Sequence, residues 1–193
     1  DGTTGASLDG ATSQTVSHGD DCTTVTAVPP SGMIFISWME SGADFSTDNP
    51  LQLLDITKDM TLIACFSFSE FNLNYYAGPN GYISGDASQT VNYGDDGTQV
   101  TAVPDENYHF VDWSDGSMEN PRIDGNVMSD INVTANFDIN NYTLTYTAGE
   151  HGAINGSAIQ IVAHGQDGTE VEAIPDSGYH FTQWSDGVTD NPR

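Results

Sequence analysis

The chain has 193 residues, enough for two or three small domains, and its 37% apolar content suffices for ordinary globular cores rather than a disordered tail. Three Lys and Arg stand against 28 Asp and Glu, a formal net charge of −25 that repels nucleic acid and anionic membrane surfaces and excludes both as partners. The longest apolar stretches, "MIFISWM" and "TLIACF", have strand length, so no segment inserts into a bilayer.

At the N-terminus "DGTTGASLDGATSQ" has neither the basic region nor the apolar stretch of an export signal. The acidic turn "HGDDCT" follows, with Asp20 and Asp21, and its counterpart "YGDDGT" carries Asp95 and Asp96. Short carboxylates beside Gly close turns and stay solvated, and that is one reading. The other is Ca2+, the one cofactor the sequence admits, although no EF-hand spacing is present. Next come Trp38 and the run "WMESGADFSTDNP", then the strand-like "TLIACF", which closes at Phe66.

The middle of the chain shows what one unit is. Four segments alternate with a period of two. "FNLNY" aligns Phe71, Leu73 and Tyr75; "TQVTAVP" aligns Val100 and Ala102; "DINVTANF" aligns Ile131, Val133, Ala135 and Phe137. In "YHFVDW", Phe110 and Trp113 fall on opposite faces, so either both faces are covered or a bulge before Trp113 brings it round to Phe110. Near "SMENP" a single helical turn is compatible with the pattern, and no stretch reads as an amphipathic helix.

Further along, the chain repeats itself. "YHFVDWSDGSMENPR" ends at Arg122 and "YHFTQWSDGVTDNPR" ends at Arg193, an offset of 71 that also relates Leu73 to Leu144, Tyr75 to Tyr146, Gly94 to Gly165 and Pro104 to Pro175. At an offset of 75, Gly10, Gly19, Pro29 and Trp38 precede Gly85, Gly94, Pro104 and Trp113. The four extra residues of the first copy lie between Trp38 and its Asn-Pro pair, a change confined to one loop. Three units result: 1–69, without an opening strand; 70–140, complete; and 141–193, without a closing strand. Both ends fall inside a unit, the pattern of a piece of a longer array or of a subunit with open edges. About four residues, "SFSE" or "DINN", join a closing Phe to the next opening strand, so neighbours touch or pivot narrowly.

Such units are marginal alone, and the recurring aromatics are the expected core anchors: Trp38, Trp113, Trp184, Phe35, Phe110, Phe181, Phe66 and Phe137. A buried aromatic removes about 150–250 Å2 from water. A sugar-stacking platform is the rival role for the Trp residues, and Tyr76, Tyr82 and Tyr93, absent from one or both other copies, are where a glycan-facing strip would lie. Cys22 replaces the position of Gly97 and Gly168, and Cys65 that of Asn136. A paired gain suggests a disulfide, contributing about 4 kcal/mol in an oxidising compartment; two buried free thiols are the alternative.

Catalysis has no visible carrier. Four of the five His recur at shared repeat positions, His18 with His164 and His109 with His180, where Tyr93 or Ile34 also stands; no HExxH, CxxC, GxSxG or phosphate loop occurs, and adjacent carboxylates do not give the facing geometry of glycoside hydrolysis.

These motifs together, "YGDDGTQVTAVPDENYHFVDWSDG", "HGQDGTEVEAIPDSGYHFTQWSDG" and the weaker "HGDDCTTVTAVPPSGMIFISW", resemble the divergent internalin-type B-repeat of bacterial surface and secreted proteins. The resemblance implies tandem small β-grasp-like domains, all-β to β-rich α+β, in an elongated extracellular array that serves as stalk, spacer or adhesin segment and has no catalytic residues. Its partners are then neighbouring repeats, a surface glycan, or other copies recruited through open strand edges. The first copy departs from the pattern at Met33, Met39 and Glu40.

Overall fold

The computed structural model describes residues 5–193, and among them the chain is all-β, with fifteen strands in several small sheets, no helix and no closed barrel. The packing divides the chain into two compact units. One comprises Asp1–Tyr76, Ser84–Thr101 and Asn120–Val133; the other comprises Ala77–Ile83, Ala102–Glu119 and Thr134–Arg193.

The first copy contributes β1 (Ser7–Gly10), β2 (Val25–Val28), β3 (Met33–Glu40), β4 (Ala43–Ser46) and β5 (Leu62–Phe68). β1 pairs antiparallel with β2, while β3 lies between β4 and β5. The register of β3 against β5 shifts between Phe35 and Ser37, and this bulge turns Trp38 onto the face of Phe35, 5.7 Å away between ring centroids. Ala27, Trp38 and Leu51 are buried there, with Val25, Phe35, Leu53, Leu62, Ala64 and Phe66 packed around them. The four extra residues after Trp38 are not a plain loop: they allow β4 to form as an added strand along β3.

The middle copy holds β6 (Glu70–Ala77), β7 (Gly81–Gly85), β8 (Ser88–Asn92), β9 (Val100–Pro104), β10 (Tyr108–Trp113) and β11 (Ile131–Ile139). β10, β11, β6 and β8 follow one another in a four-stranded sheet, and β7 pairs with β9. Six strands form where alternation marked four, because β7 and β8 are short and bounded by turn residues. Of the two arrangements open for "YHFVDW", the bulge before Trp113 is the one present: the register of β10 on β11 shifts between Phe110 and Asp112. Phe110 consequently meets both Trp113, at 5.9 Å, and Phe137, at 6.2 Å. Residues 117–121 are irregular, so the helical turn near "SMENP" is not made.

The third copy supplies β12 (Asn141–Thr145), β13 (Gly152–Gly156), β14 (Ile159–Ala163) and β15 (Val171–Pro175), paired β12 with β14 and β13 with β15. Residues 179–184, spelled almost as β10 is, form no strand. β10 is extended because β11 accepts its hydrogen bonds, and no described strand lies beside residues 179–184.

Recurring polar struts explain why the chain repeats its wording. The indole N–H of Trp38 donates to the carbonyl of Asp48, that of Trp113 to Glu119 and that of Trp184 to Asp190, each at 2.9 Å, so a buried Trp finds its acceptor just before the Asn-Pro pair. The Asn49 amide then brackets the backbone of Ala27, accepting from its N–H and donating to its C=O at 2.8 Å, and Asn191 does the same for Ala173. Gln14, Gln89 and Gln160 each hold the N–H and C=O of Thr23, Thr98 and Thr169 in the same two-handed way. In each case a side-chain amide stands in for a missing neighbouring strand.

Candidate functional site

Among the described residues no group of three or more His, Cys, Asp or Glu could hold a metal ion. The geometry that recurs without change lies where one copy passes into the next. β5 ends at Phe68 and β6 begins at Glu70; β11 ends at Ile139 and β12 begins at Asn141. Regular strand therefore runs further than the sequence suggested, and the link is one residue, Ser69 or Asn140, rather than about four.

That residue is held from both sides. The Ser69 N–H donates to the Gly32 carbonyl of the copy behind, and its own carbonyl accepts from the Tyr93 N–H of the copy ahead, both at 2.8 Å. Asn140 repeats the arrangement with Asn107 and His164, again at 2.8 Å on each side. Gly32 and Asn107 occupy the left-handed region, φ 77° and 70°, where Gly and Asn are the least strained residues. The ring of Tyr93 lies directly over Gly32 and packs on Phe71 at 6.3 Å; His164 lies near Tyr142 at 6.0 Å. At the second junction the His109 imidazole also bonds the Asn140 side chain, at 3.1 Å. Alignment of the copies carried a signal for this clasp, because Gly32, Asn107 and Gly178 share a position and all tolerate positive φ.

The residues singled out in the sequence divide accordingly. Trp38, Trp113 and Trp184 are buried, Trp113 completely, and Phe35, Phe66, Phe110, Phe137 and Phe181 are half-buried. Tyr93 is half-buried at the first junction. Tyr76 and Tyr82 are exposed, at 54% and 56%. Asp20, Asp21, Asp95 and Asp96 are exposed, and two of them brace loops: Asp21 accepts from the Asp55 N–H at 3.0 Å and Asp96 from the Asn126 N–H at 2.7 Å.

Cys22 and Cys65 are free thiols, and the bridge between them is not formed. In β5, Leu62, Ala64 and Phe66 point to the core around Trp38, whereas Cys65 alternates to the other face and pairs with Ser37. Cys22 lies on the core side, lining the same cavity as Trp38 and Leu62. The sheet separates the two sulfurs. Alkylation of the native chain in denaturant without reductant is expected to add two labels, and recovery of an unlabelled form would show a bridge.

Electrostatics mark two further places. In the first unit Arg122 grips Asp124 through two bonds of 2.7 Å, and Asp124 accepts from the Tyr75 hydroxyl at 2.7 Å. Burial first, then the bond to Asp124, holds that hydroxyl above the usual phenol range. In the second unit Asp186 is held below the usual carboxylate range by Arg193 and then by the Val188 N–H. Arg193 lies over the Trp184 ring, 5.4 Å from its centroid.

The family described as the divergent InlB B-repeat domain matches three successive stretches, residues 1–69, 71–141 and 142–192. No curated protein and no solved structure matches the chain.

Proposed function

The chain belongs to the divergent InlB B-repeat domain family, a non-catalytic repeat family suggestive of a bacterial surface region, and from that membership we propose a mechanical role. The chain is an extracellular spacer segment of a bacterial surface or secreted protein, with no catalysis of its own. It holds whatever it joins at a set separation through three modules, 1–69, 70–140 and 141–193.

One observation carries this reading. A flexible connector of even a few Gly and Ser residues would decouple neighbouring copies, yet each junction is a single residue whose N–H and C=O are both engaged, once per flanking copy. Two independent junctions with different side chains keep the same backbone bonds. The test is 15N relaxation of the intact chain. One common rotational correlation time is expected for copies on either side of Ser69 and Asn140, and inserting Gly-Ser-Gly-Ser after Asn140 is expected to split it. Separate correlation times in the unaltered chain would sink the proposal.

A further inference from the structure

Among the described strands β14 has β12 as its one neighbour. At the two ends of that ladder the Tyr146 N–H donates to the Ala158 carbonyl and the His164 N–H to the Asn140 carbonyl, both at 2.8 Å. Antiparallel bonding alternates along a strand, so the N–H and C=O groups of Ile159, Ile161 and Ala163 point away from β12, to the open side. The Ile159 and Ile161 residues are 66% and 76% exposed. The equivalent strand of the middle copy is β8, and although copies precede and follow it in the chain, it too has one neighbour, β6. Tandem linkage therefore leaves this edge uncovered.

The two edges differ in polarity. In the middle copy the Asp86 carboxylate accepts from the Ser88 N–H at 3.3 Å, the Thr90 hydroxyl donates to the Asn72 side chain at 3.1 Å, and the Asn92 amide donates to the Asp95 carboxylate at 3.1 Å. The offset of 71 puts Ser157, Ile159, Ile161, Ala163 and Gln166 in the places of Asp86, Ser88, Thr90, Asn92 and Asp95. Each exchange removes a charge or a hydrogen-bonding group, the devices that keep a strand edge from pairing. Ser157 donates instead to the Ile159 carbonyl, at 3.1 Å, and the carboxylate cap on the following N–H is gone. Residues 156–166 hold no acid, in a chain that has 28.

We propose that this edge docks a second copy of the chain, β14 against β14, antiparallel about a two-fold axis beside Ile161. Ile161 then exchanges N–H···O=C bonds with its own counterpart, and Ile159 with Ala163. Charge identifies the partner. In that register Ser157 falls opposite Gly165 and Gln166 opposite Gly156; the same pairing of β8 would set Asp86 opposite Gly94 and Asp95 opposite Gly85, so that each Asp86 met the other chain's Asp95 one step along the ladder. The third copy lacks the two acids that would repel an identical edge. A basic partner would have been better held with both in place, whereas a chain of net charge −25 meets its own kind only across an uncharged strip. The spacer role needs no second chain, so the pairing goes beyond it.

Sedimentation velocity of the intact 193-residue chain tests the pairing. A concentration-dependent dimer is expected, with amide exchange at Ile159 and Ile161 slowed as it forms. Ile159→Ser with Ile161→Thr, the residues β8 carries, is expected to weaken the dimer about tenfold or more. Ser157→Asp with Gln166→Asp keeps both isoleucines and is expected to weaken it at low salt and to regain most of the loss at high salt, where exposed charges are screened. All four positions are exposed and each new residue is the one the middle copy folds with, so folding is not at stake. A chain that stays monomeric at every concentration overturns the proposal, and so does a dimer that neither pair of substitutions weakens, the mark of a different face.

Discussion

Arg122→Ala is expected to destabilise the first unit by about 3–5 kcal/mol, the usual cost of stranding one member of a buried ion pair. Arg122 is 6% exposed, and both of its bonds to Asp124 are 2.7 Å long. Its removal leaves a carboxylate in a confined site beside the Tyr75 hydroxyl, with its main counter-charge gone. Replacing the whole set at once should behave otherwise. Arg122→Leu with Asp124→Leu and Tyr75→Phe copies the apolar pair that the first copy already carries at Leu51 and Leu53, and a well-packed apolar substitute for a buried pair is about neutral or stabilising. Urea titration, with amide exchange at Val100 and Arg122, whose backbones bond each other, reads both variants. A single-variant loss below about 1 kcal/mol would refute the account. The linkage has a definite sign. Because the folded Tyr75 value is raised, its neutral hydroxyl contributes fully below the ordinary phenol range, and that contribution fades only as pH climbs through the folded value into strong alkali.

The same ion pair shows what a sequence discloses and what it conceals. Alternation placed β6, β9, β10 and β11, and the mismatch of Phe110 and Trp113 left two arrangements open, both faces covered or a bulge, of which the register shift on β11 shows the bulge. The family was legible from the motif run itself. Residues 179–184 were not legible: they repeat the aromatic pattern of β10 yet are not strand, since extension there depends on a partner distant in sequence. β7 and β8 escaped notice for a related reason, as their short runs are stabilised by pairing with β9 and β6 rather than by local pattern. The clasp at Ser69 and Asn140 is made of backbone groups, which carry no side-chain signature; only the glycine and asparagine at their left-handed partners hinted at it. The cysteines misled because a paired gain in sequence does not say which face of a strand each side chain takes.

Gly32→Ala is expected to cost about 2–5 kcal/mol, from two separate causes at one residue. Any side chain at φ 77° bears the left-handed penalty of about 1–2 kcal/mol, and its Cβ would fall within the Tyr93 ring, adding about 1–3 kcal/mol of overpacking. The second junction shows how the strain can be relieved without glycine. There Asn107 takes the left-handed position, Asn being among the residues that tolerate it, and the smaller His164 stands where Tyr93 does. Gly32→Asn alone should therefore lose about 1–3 kcal/mol to the ring, and adding Tyr93→His should recover most of it. Thermal unfolding of the four members of this cycle measures the coupling. A strongly favourable interaction between the two substitutions means that ring and glycine were matched to close the junction over Ser69. Simple additivity would mean that Tyr93 is a bystander and that the two backbone bonds to Ser69 hold the first junction without it.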